Sequence, residues 1–246
     1  MLVLSRTPAF AATTQITQDQ PARKQTQDQV NPQLFKHSLS GLYGIESFKL
    51  NVNQPYNNFK QLYSQSLIAQ KELETICQST ALLSNAQPLF SGVKSKQRAQ
   101  EKIRLDLNGD NRKITDIARA TILAHDIDGL VTAYENLNKQ TKILGVKNRF
   151  KTPAPSGYRD LNLLVELPDT KIIAEVQLHL SEIEKVKSGP EHDLYEIIQG
   201  IERRASAESR ELNEIETTKI TNLRRESHEL YRLAWQPYIT TNLKAA

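Results

Sequence analysis

Four short stretches hold the side chains able to do chemistry. Lys94, Arg98 and Lys102 recur every four residues in VKSKQRAQEKI. On a helix that spacing puts three cations on one face, where like charges repel by roughly a few tenths of a kcal/mol per pair and an anion relieves them. A solvated helix face explains the same pattern. Asp116 stands just ahead of the apolar run RATILA. A carboxylate at a strand edge can hold Mg²⁺, which takes oxygen ligands and often only one or two protein carboxylates; a turn or cap explains it equally. In VKNRFKTPAPSGYRDLN a basic segment carrying Lys147 runs into a Pro/Gly loop that presents Tyr158 and Arg159. Aromatic rings stack on bases, and the arginine fork pairs with phosphates. In EVQLHL, a strand would project Glu175, Gln177 and His179 to one face and Val176 and Leu178 to the other. Such a row is either the polar floor of a ligand site or an exposed sheet face.

The elements that must carry these residues follow from periodicity. Phe59, Leu62, Tyr63, Ser66, Leu73, Ile76 and Cys77 fall at three- and four-residue steps, which predicts an amphipathic helix of about seven turns. Asn85 to Pro88 ends it. Residues 95–105 read as a basic helix and 119–124 as a short apolar strand. Asp126, Asp128 and Gly129 make a turn into a helix carrying Leu130, Ala133, Tyr134 and Leu137. Residues 142–150 form a second strand, and 161–167 with 171–178 a hairpin. From Ser181 onward the chain reads as helical throughout, with Leu212, Ile215, Ile220, Leu223 and Leu230 spaced for packing. Strands in the middle with helices at both ends make an α+β fold. Cys77 lies on an apolar stripe and reads as buried and structural. Trp235 reads as the anchor of the last helix.

Composition bounds the rest. The chain has 246 residues, a net charge of +4, 38% apolar and 24% charged residues. That is one large domain or two small ones, since domains usually run about 100–150 residues. A single cysteine excludes a disulfide framework and a cysteine zinc cage. No apolar run reaches the roughly 18 residues of a spanning helix, so no membrane is expected. The opening MLVLSRTPAFAATTQ has its only charge after a short apolar run and does not read as a cleaved secretory signal. Residues 11–33 are rich in Gln, Thr and Asp and are expected to be disordered. The basic surplus suits a polyanionic ligand without naming one.

Taken in order, VKSKQRAQEKI, DIARATI, VKNRFKTPAPSGYRDLN, EVQLHL and GPEHDLY resemble the motifs of the RelA/SpoT-like synthetase domain, the nucleotide pyrophosphokinases that make alarmones. There a VKS…KI segment precedes a DIAGIRI-like strand, a KDY-like strand, a GYRSLH loop, EVQIRT, and a helix with a histidine. The resemblance covers residues 92–195, with the Phe59 helix in the place of the family's N-terminal helix. It implies a nucleotidyltransferase-like mixed sheet of about five strands flanked by helices, with a disordered N-terminal tail and a helical C-terminus. The domains would be a tail at 1–35, the synthetase domain at 36–205 and a helical extension at 206–246.

The resemblance further implies transfer of the β,γ-pyrophosphate of ATP to a ribose 3′-hydroxyl, with AMP released. Lys94 and Lys102 would hold the ATP phosphates, with Arg98 nearby. Asp116 and Glu175 would hold Mg²⁺ and do the catalysis, Glu175 sharing the metal or deprotonating the attacking hydroxyl. Tyr158 would stack on the acceptor base, Lys147 and Arg159 would neutralise phosphates near it, and Asn162, Gln177, His179 and His192 would shape its site. The departures are Arg119 and Thr121 for the Gly and Arg of DIAGIRI, Asn162 for the histidine of GYRSLH and His179 for the arginine of EVQIRT. Asp160 replaces a small hydroxyl residue and is expected to put a negative charge beside the acceptor loop. GDP or GTP is the expected acceptor; an adenine nucleotide, the 3′ end of tRNA, and an inactive fold that binds nucleotide or RNA stay open. So do a homo-oligomer formed through the terminal helices and, against cytoplasmic residence, export as an effector or toxin. Two His-Asp dipeptides, at 125–126 and 192–193, are not expected to belong to the family's hydrolase domain, a separate helical module of well over a hundred residues that the residues ahead of the synthetase match would not hold.

Overall fold

The computed structural model describes residues 36–244; the expected tail at 1–35 lies outside them. A short helix, α1 (Leu39–Gly44), leads to a two-residue strand, β1 (Phe48–Lys49). The long amphipathic helix α2 (Phe59–Leu83) is capped by Asn58, whose side chain accepts from the Gln61 N–H at 3.1 Å. Its 25 residues are the expected seven turns, and its apolar stripe buries Leu62, Ala69, Leu73, Ile76 and Cys77. Next come β2 (Gln87–Leu89), α3 (Lys96–Asp106), β3 (Arg119–Ala124), α4 (Ile127–Gln140) and β4 (Lys142–Asn148). The hairpin β5 (Leu161–Glu166) and β6 (Ile173–Leu180) follows, then α5 (Ser181–Lys187), α6 (Pro190–Ala207) and α7 (Glu214–Lys244).

The sheet has six strands in the order β1-β4-β5-β6-β3-β2, mixed because β3 and β6 run parallel while the other pairs are antiparallel. The about five expected strands become six through the edge strands β1 and β2. Two or three residues show no period, and β2 contains Pro88, which an edge position tolerates. The C-terminal region is three helices, not one run. Gly189–Pro190 separates α5 from α6, with proline in the first turn of the new helix. Ser209, at φ +51°, separates α6 from α7. Across that second break the Arg210 guanidinium grips Glu216 with two hydrogen bonds of 2.7 and 2.8 Å.

One sheet face is closed. Ala120, Ile122, Ala124, Val176, Leu178 and Leu180 point into a core shared with α2 and α4. The other face carries the polar alternates of the same strands. α7 closes one flank: Trp235 is 5% exposed and packs its ring 5.5 Å from Phe150 and 5.8 Å from Tyr238, as an anchor should. Cys77 is buried as expected, and burial first and Glu74 second push its thiol up to about 12.

Candidate active site

The three-residue approach to β3 gathers the charged groups. The Ile117 carbonyl accepts from the Lys94 N–H at 2.9 Å, and the Ala118 carbonyl accepts from the Glu175 N–H at 3.1 Å. The Lys94 backbone therefore flanks this segment on one side and the Glu175 backbone on the other. Asp116 is 8% exposed. Its Oδ2 lies 2.7 Å from both Lys94 Nζ and Lys102 Nζ, while its Oδ1 is buried with no hydrogen-bond partner among the described residues. Burial alone would raise this carboxyl; the hydrogen bonds and charges of Lys102 and Lys94 outweigh it and hold Asp116 below the usual carboxylate range.

The grouping of the cations differs from simple helical spacing. Lys94 precedes Ser95, the N-cap of α3, so it is not on the helix at all. It meets Lys102 because both reach back to Asp116. Arg98 stays exposed on α3.

Strand register assembles the open face. Lys147 pairs with Asn162, Asn162 with Gln177 and Gln177 with Thr121, giving one polar row across β4, β5, β6 and β3. In the next row Leu164 pairs with Glu175 and Glu175 with Arg119. Gln177 donates to Glu175 Oε1 at 3.3 Å, and Lys187 at the end of α5 donates to Gln177 Oε1 at 3.5 Å.

The loop after β4 and the end of β6 form a second cluster. Asp160 is fully buried, not displayed to a ligand. Its Oδ1 accepts from Arg149 at 2.6 Å and its Oδ2 from the Tyr158 hydroxyl at 2.9 Å. The Tyr158 oxygen also lies 2.7 Å from His179 Nε2, and His179 Nδ1 donates to Glu184. The expected negative charge beside the acceptor loop is thus neutralised by Arg149 inside the protein. Burial first, then Asp160, push the Tyr158 phenol up, so it stays a donor. Its ring has the Arg149 guanidinium over it at 5.6 Å and the edges of His179 and Tyr231 against it at 5.8 and 5.6 Å. Gly157 explains how the loop fits. Its φ is +84°, and a Cβ there would come within 3.2 Å of the His228 Cα on α7.

Two expected site residues stand apart. Arg159 donates to the Phe150 carbonyl at 2.8 Å and lies 5.0 Å above the Trp235 ring, binding the loop to α7. His192 is exposed on α6, with Nε2 3.4 Å from Glu196. A cavity of about 890 Å³ lies at the carboxyl ends of β3 and β6, lined by His125, Asp126, Ser181 and Tyr238 among others. It contains none of the expected site residues.

No protein-family model matches the chain. Over 142 residues it is 25% identical to the (p)ppApp synthetase toxin Tas1 of Pseudomonas aeruginosa (strain UCBPP-PA14), a stretch that is 58% of this chain and 31% of that protein. The match spans about a third of that relative's length. The crystal structure of the Type VI effector Tas1 with its immunity protein superposes with a TM-score of 0.55 at 20% identity, covering 72% of this chain and 96% of that one. Small alarmone synthetase 1 of Bacillus subtilis, bound to its product pppGpp, gives 0.55 at 19% identity, covering 76% and 98%. The same synthetase in a separate crystal structure gives 0.52 at 18%, covering 78% and 100%. The chain has the RelA/SpoT-like synthetase fold.

Within that fold the donor set suits magnesium. Mg²⁺ binds through one or two carboxylates and completes its shell with water and substrate phosphates. Asp116 Oδ1, buried and unpartnered among the described residues, could serve as one such oxygen, and Glu175 could offer a second carboxylate one strand away. Among the described residues no group of three or more His, Cys, Asp or Glu forms a metal cage, so the shell would need substrate oxygens.

Two supporting residues of the synthetase fold escaped the sequence reading. Gln54 is 2% exposed; its amide donates to the carbonyls of Ile114 and Ile173 at 2.8 Å each and accepts from the Ile173 N–H at 3.0 Å. It ties the approach to β3 to the start of β6, and so Asp116 to Glu175. Gln70 accepts from the Arg119 N–H and donates to the Arg119 carbonyl, each at 3.0 Å. Its signal was available, since it is a glutamine turned inward from α2 among buried Ala69 and Leu73.

Proposed function

We propose that this chain transfers the β,γ-pyrophosphate of ATP to the 3′-hydroxyl of a nucleotide. The observation that carries the reading is Asp116: one oxygen shared by Lys94 and Lys102, the other buried and unsatisfied, on a segment whose next carbonyls bond Lys94 and Glu175. Charge neutralisation and alignment are what phosphoryl-type transfer requires of a protein. Two ammonium groups that now share one carboxylate are poised to exchange it for phosphate oxygens. Lys94 and Lys102 would grip the ATP phosphates, with Arg98 at the rim. Asp116 and Glu175 would hold the magnesium ion, which supplies further neutralisation of phosphate charge.

In the reaction, the acceptor 3′-oxygen bonds to the β-phosphorus and the bond from that phosphorus to the α–β bridging oxygen breaks. AMP leaves with the bridging oxygen, and the 3′-hydroxyl proton passes to Glu175. The row Lys147–Asn162–Gln177 would floor the acceptor site. Tyr158 would offer it the remaining part of its ring, steadied by Asp160 and His179.

GDP or GTP is the acceptor we favour, in line with the pppGpp product bound by the Bacillus synthetase. An adenine nucleotide is the second reading, favoured by the similarity to a (p)ppApp synthetase toxin. On that reading the chain would act as a toxin and need a neutralising partner, as Tas1 is seen with its immunity protein. No described helix is long and apolar enough to cross a membrane.

The test is AMP release from ATP and Mg²⁺, offering GDP, GTP, ADP, ATP alone and deacylated tRNA in parallel. AMP formed with one acceptor establishes the transfer and names the substrate. Glu175→Gln should lower turnover by about 100- to 10,000-fold. Near-normal turnover of that variant removes Glu175 as the base, and no AMP with any acceptor removes the reading.

A further inference from the structure

We propose that Arg119 is a further substrate-binding residue, whose guanidinium takes the transferred diphosphate on the open sheet face beside Glu175. The inference rests on the function proposed above and adds a residue to its site.

Arg119 opens β3, and its Cα partner across the parallel ladder is Glu175. Registered neighbours on adjacent strands point to the same side of a sheet, so the two side chains share the open face. They do not form an ion pair, and Arg119 is ion-paired to no acid among the described residues. Its Nε is buried without a hydrogen-bond partner among the described residues, although the residue as a whole is half-buried. The backbone is not what holds Arg119 in reserve, for Gln70 satisfies both its N–H and its carbonyl. What is left unmatched is Nε, one donor of the planar fork that fits phosphate oxygens.

A buried donor with no partner is costly, and here it does not stand alone. Asp116, three residues earlier, has the opposite defect: a buried carboxylate oxygen with no donor. One atom awaits a cation and the other an anion, on the same strand approach and next to Glu175. A magnesium diphosphate presents both signs at once. The acceptor's own 5′-phosphates have the same chemistry, but the row that pairs with Lys147 lies one step further along the strand. Arg119 stands in the row of Glu175, where the migrating group must pass.

The experiment uses the full chain with Arg119→Gln and Arg119→Lys. Calorimetry is run with inorganic pyrophosphate plus Mg²⁺ and, separately, with AMP. We expect Arg119→Gln to weaken pyrophosphate binding by about 10- to 100-fold, the scale of one charge-assisted hydrogen-bond pair, with AMP affinity and melting temperature unchanged. Arg119→Lys should fall between, keeping the charge and losing the fork. Wild-type pyrophosphate affinity in Arg119→Gln overturns the proposal, as does an equal loss of pyrophosphate and AMP, which marks a structural role. If Arg119→Gln does not fold, Arg119→Lys decides: a several-fold loss supports the proposal and wild-type affinity overturns it. Steady-state kinetics separates the two phosphate sources. A raised KM for ATP with an unchanged KM for the acceptor is expected, and the reverse overturns the proposal. Pyrophosphate bound through Arg119 by a chain that never releases AMP would sink the proposed reaction and leave Arg119 standing. AMP release untouched by Arg119→Gln would do the opposite.

Discussion

The open sheet face has two ends that handle charge in opposite ways. At the Asp116 end, two lysines converge on one carboxylate oxygen, and Asp116 Oδ1 and Arg119 Nε are buried without partners among the described residues. At the Asp160 end, two departures from the family pattern, Asp160 and His179, are absorbed by other residues of the chain. Asp160 is answered by Arg149 and Tyr158, and His179 by Tyr158 and Glu184. Buried polar groups are normally satisfied, so the second end reads as finished structure and the first as a surface that lacks a component. The difference teaches which charges are built into the structure and which face outward. Asp160 and His179, the two residues that look most disruptive in the sequence, are both answered inside the protein, by Arg149, Tyr158 and Glu184.

If that contrast is right, variants at the two ends should fail differently. Asp160→Ala should cost about 3–5 kcal/mol, because it leaves Arg149 unpaired beside a partly buried tyrosine and a buried histidine. Urea denaturation measures it, and pyrophosphate affinity in the surviving folded fraction should be unchanged. A loss below about 1 kcal/mol, the value of an exposed pair, would show that the cluster is not sealed.

Asp116→Asn probes the unfinished end and should act through pH. The native carboxyl is held below its ordinary value of about 3.9. Its contribution to stability is therefore present above that ordinary value and lost as pH falls through the lower native one. Wild type should exceed Asp116→Asn at neutral pH, and the gap should close on acidification below about pH 4. Melting curves across that range check the sign. A gap that persists at low pH would mean the lysines are organised by something other than the carboxylate charge.

Much of this arrangement was legible in the sequence, and the exceptions have physical causes. The apolar run RATILA located β3 and EVQLHL lies in β6, where the exposure of Glu175 and Gln177 follows the alternation. His179 obeys the same alternation yet is fully buried, because the chain turns into α5 one residue later and Glu184 folds back over it. The four-residue spacing of Lys94, Arg98 and Lys102 suggested one helical face; the cap at Ser95 places Lys94 outside the helix, and a shared acid reunites it with Lys102. The charge of Asp160 was visible, but its burial depended on Arg149, eleven residues away and across a strand pair. The break before α7 had no glycine or proline to announce it and is held by Arg210 against Glu208 and Glu216.

The smallest effect tests whether the Asp160 end is closed all the way to α7. Tyr231, whose ring meets Tyr158, donates its hydroxyl at 3.0 Å to Glu191, and Ser227 donates to the other Glu191 oxygen at 3.2 Å. No cation is ion-paired to this carboxyl among the described residues. Burial raises it above the usual carboxylate range despite the hydrogen bonds from Tyr231 and Ser227. A carboxyl whose native value lies above its unfolded one favours the folded state at low pH, and that benefit is lost as pH rises through the native value. Glu191→Gln keeps an acceptor for the hydroxyls and removes the charge. The variant should melt higher than wild type near about pH 7 and together with it near about pH 3, below the ordinary glutamate value. A variant that melts lower at neutral pH would show that Glu191 works as a charge, answered by a cation at this flank, and that this end is closed by an ion pair instead of by neutral hydrogen bonds.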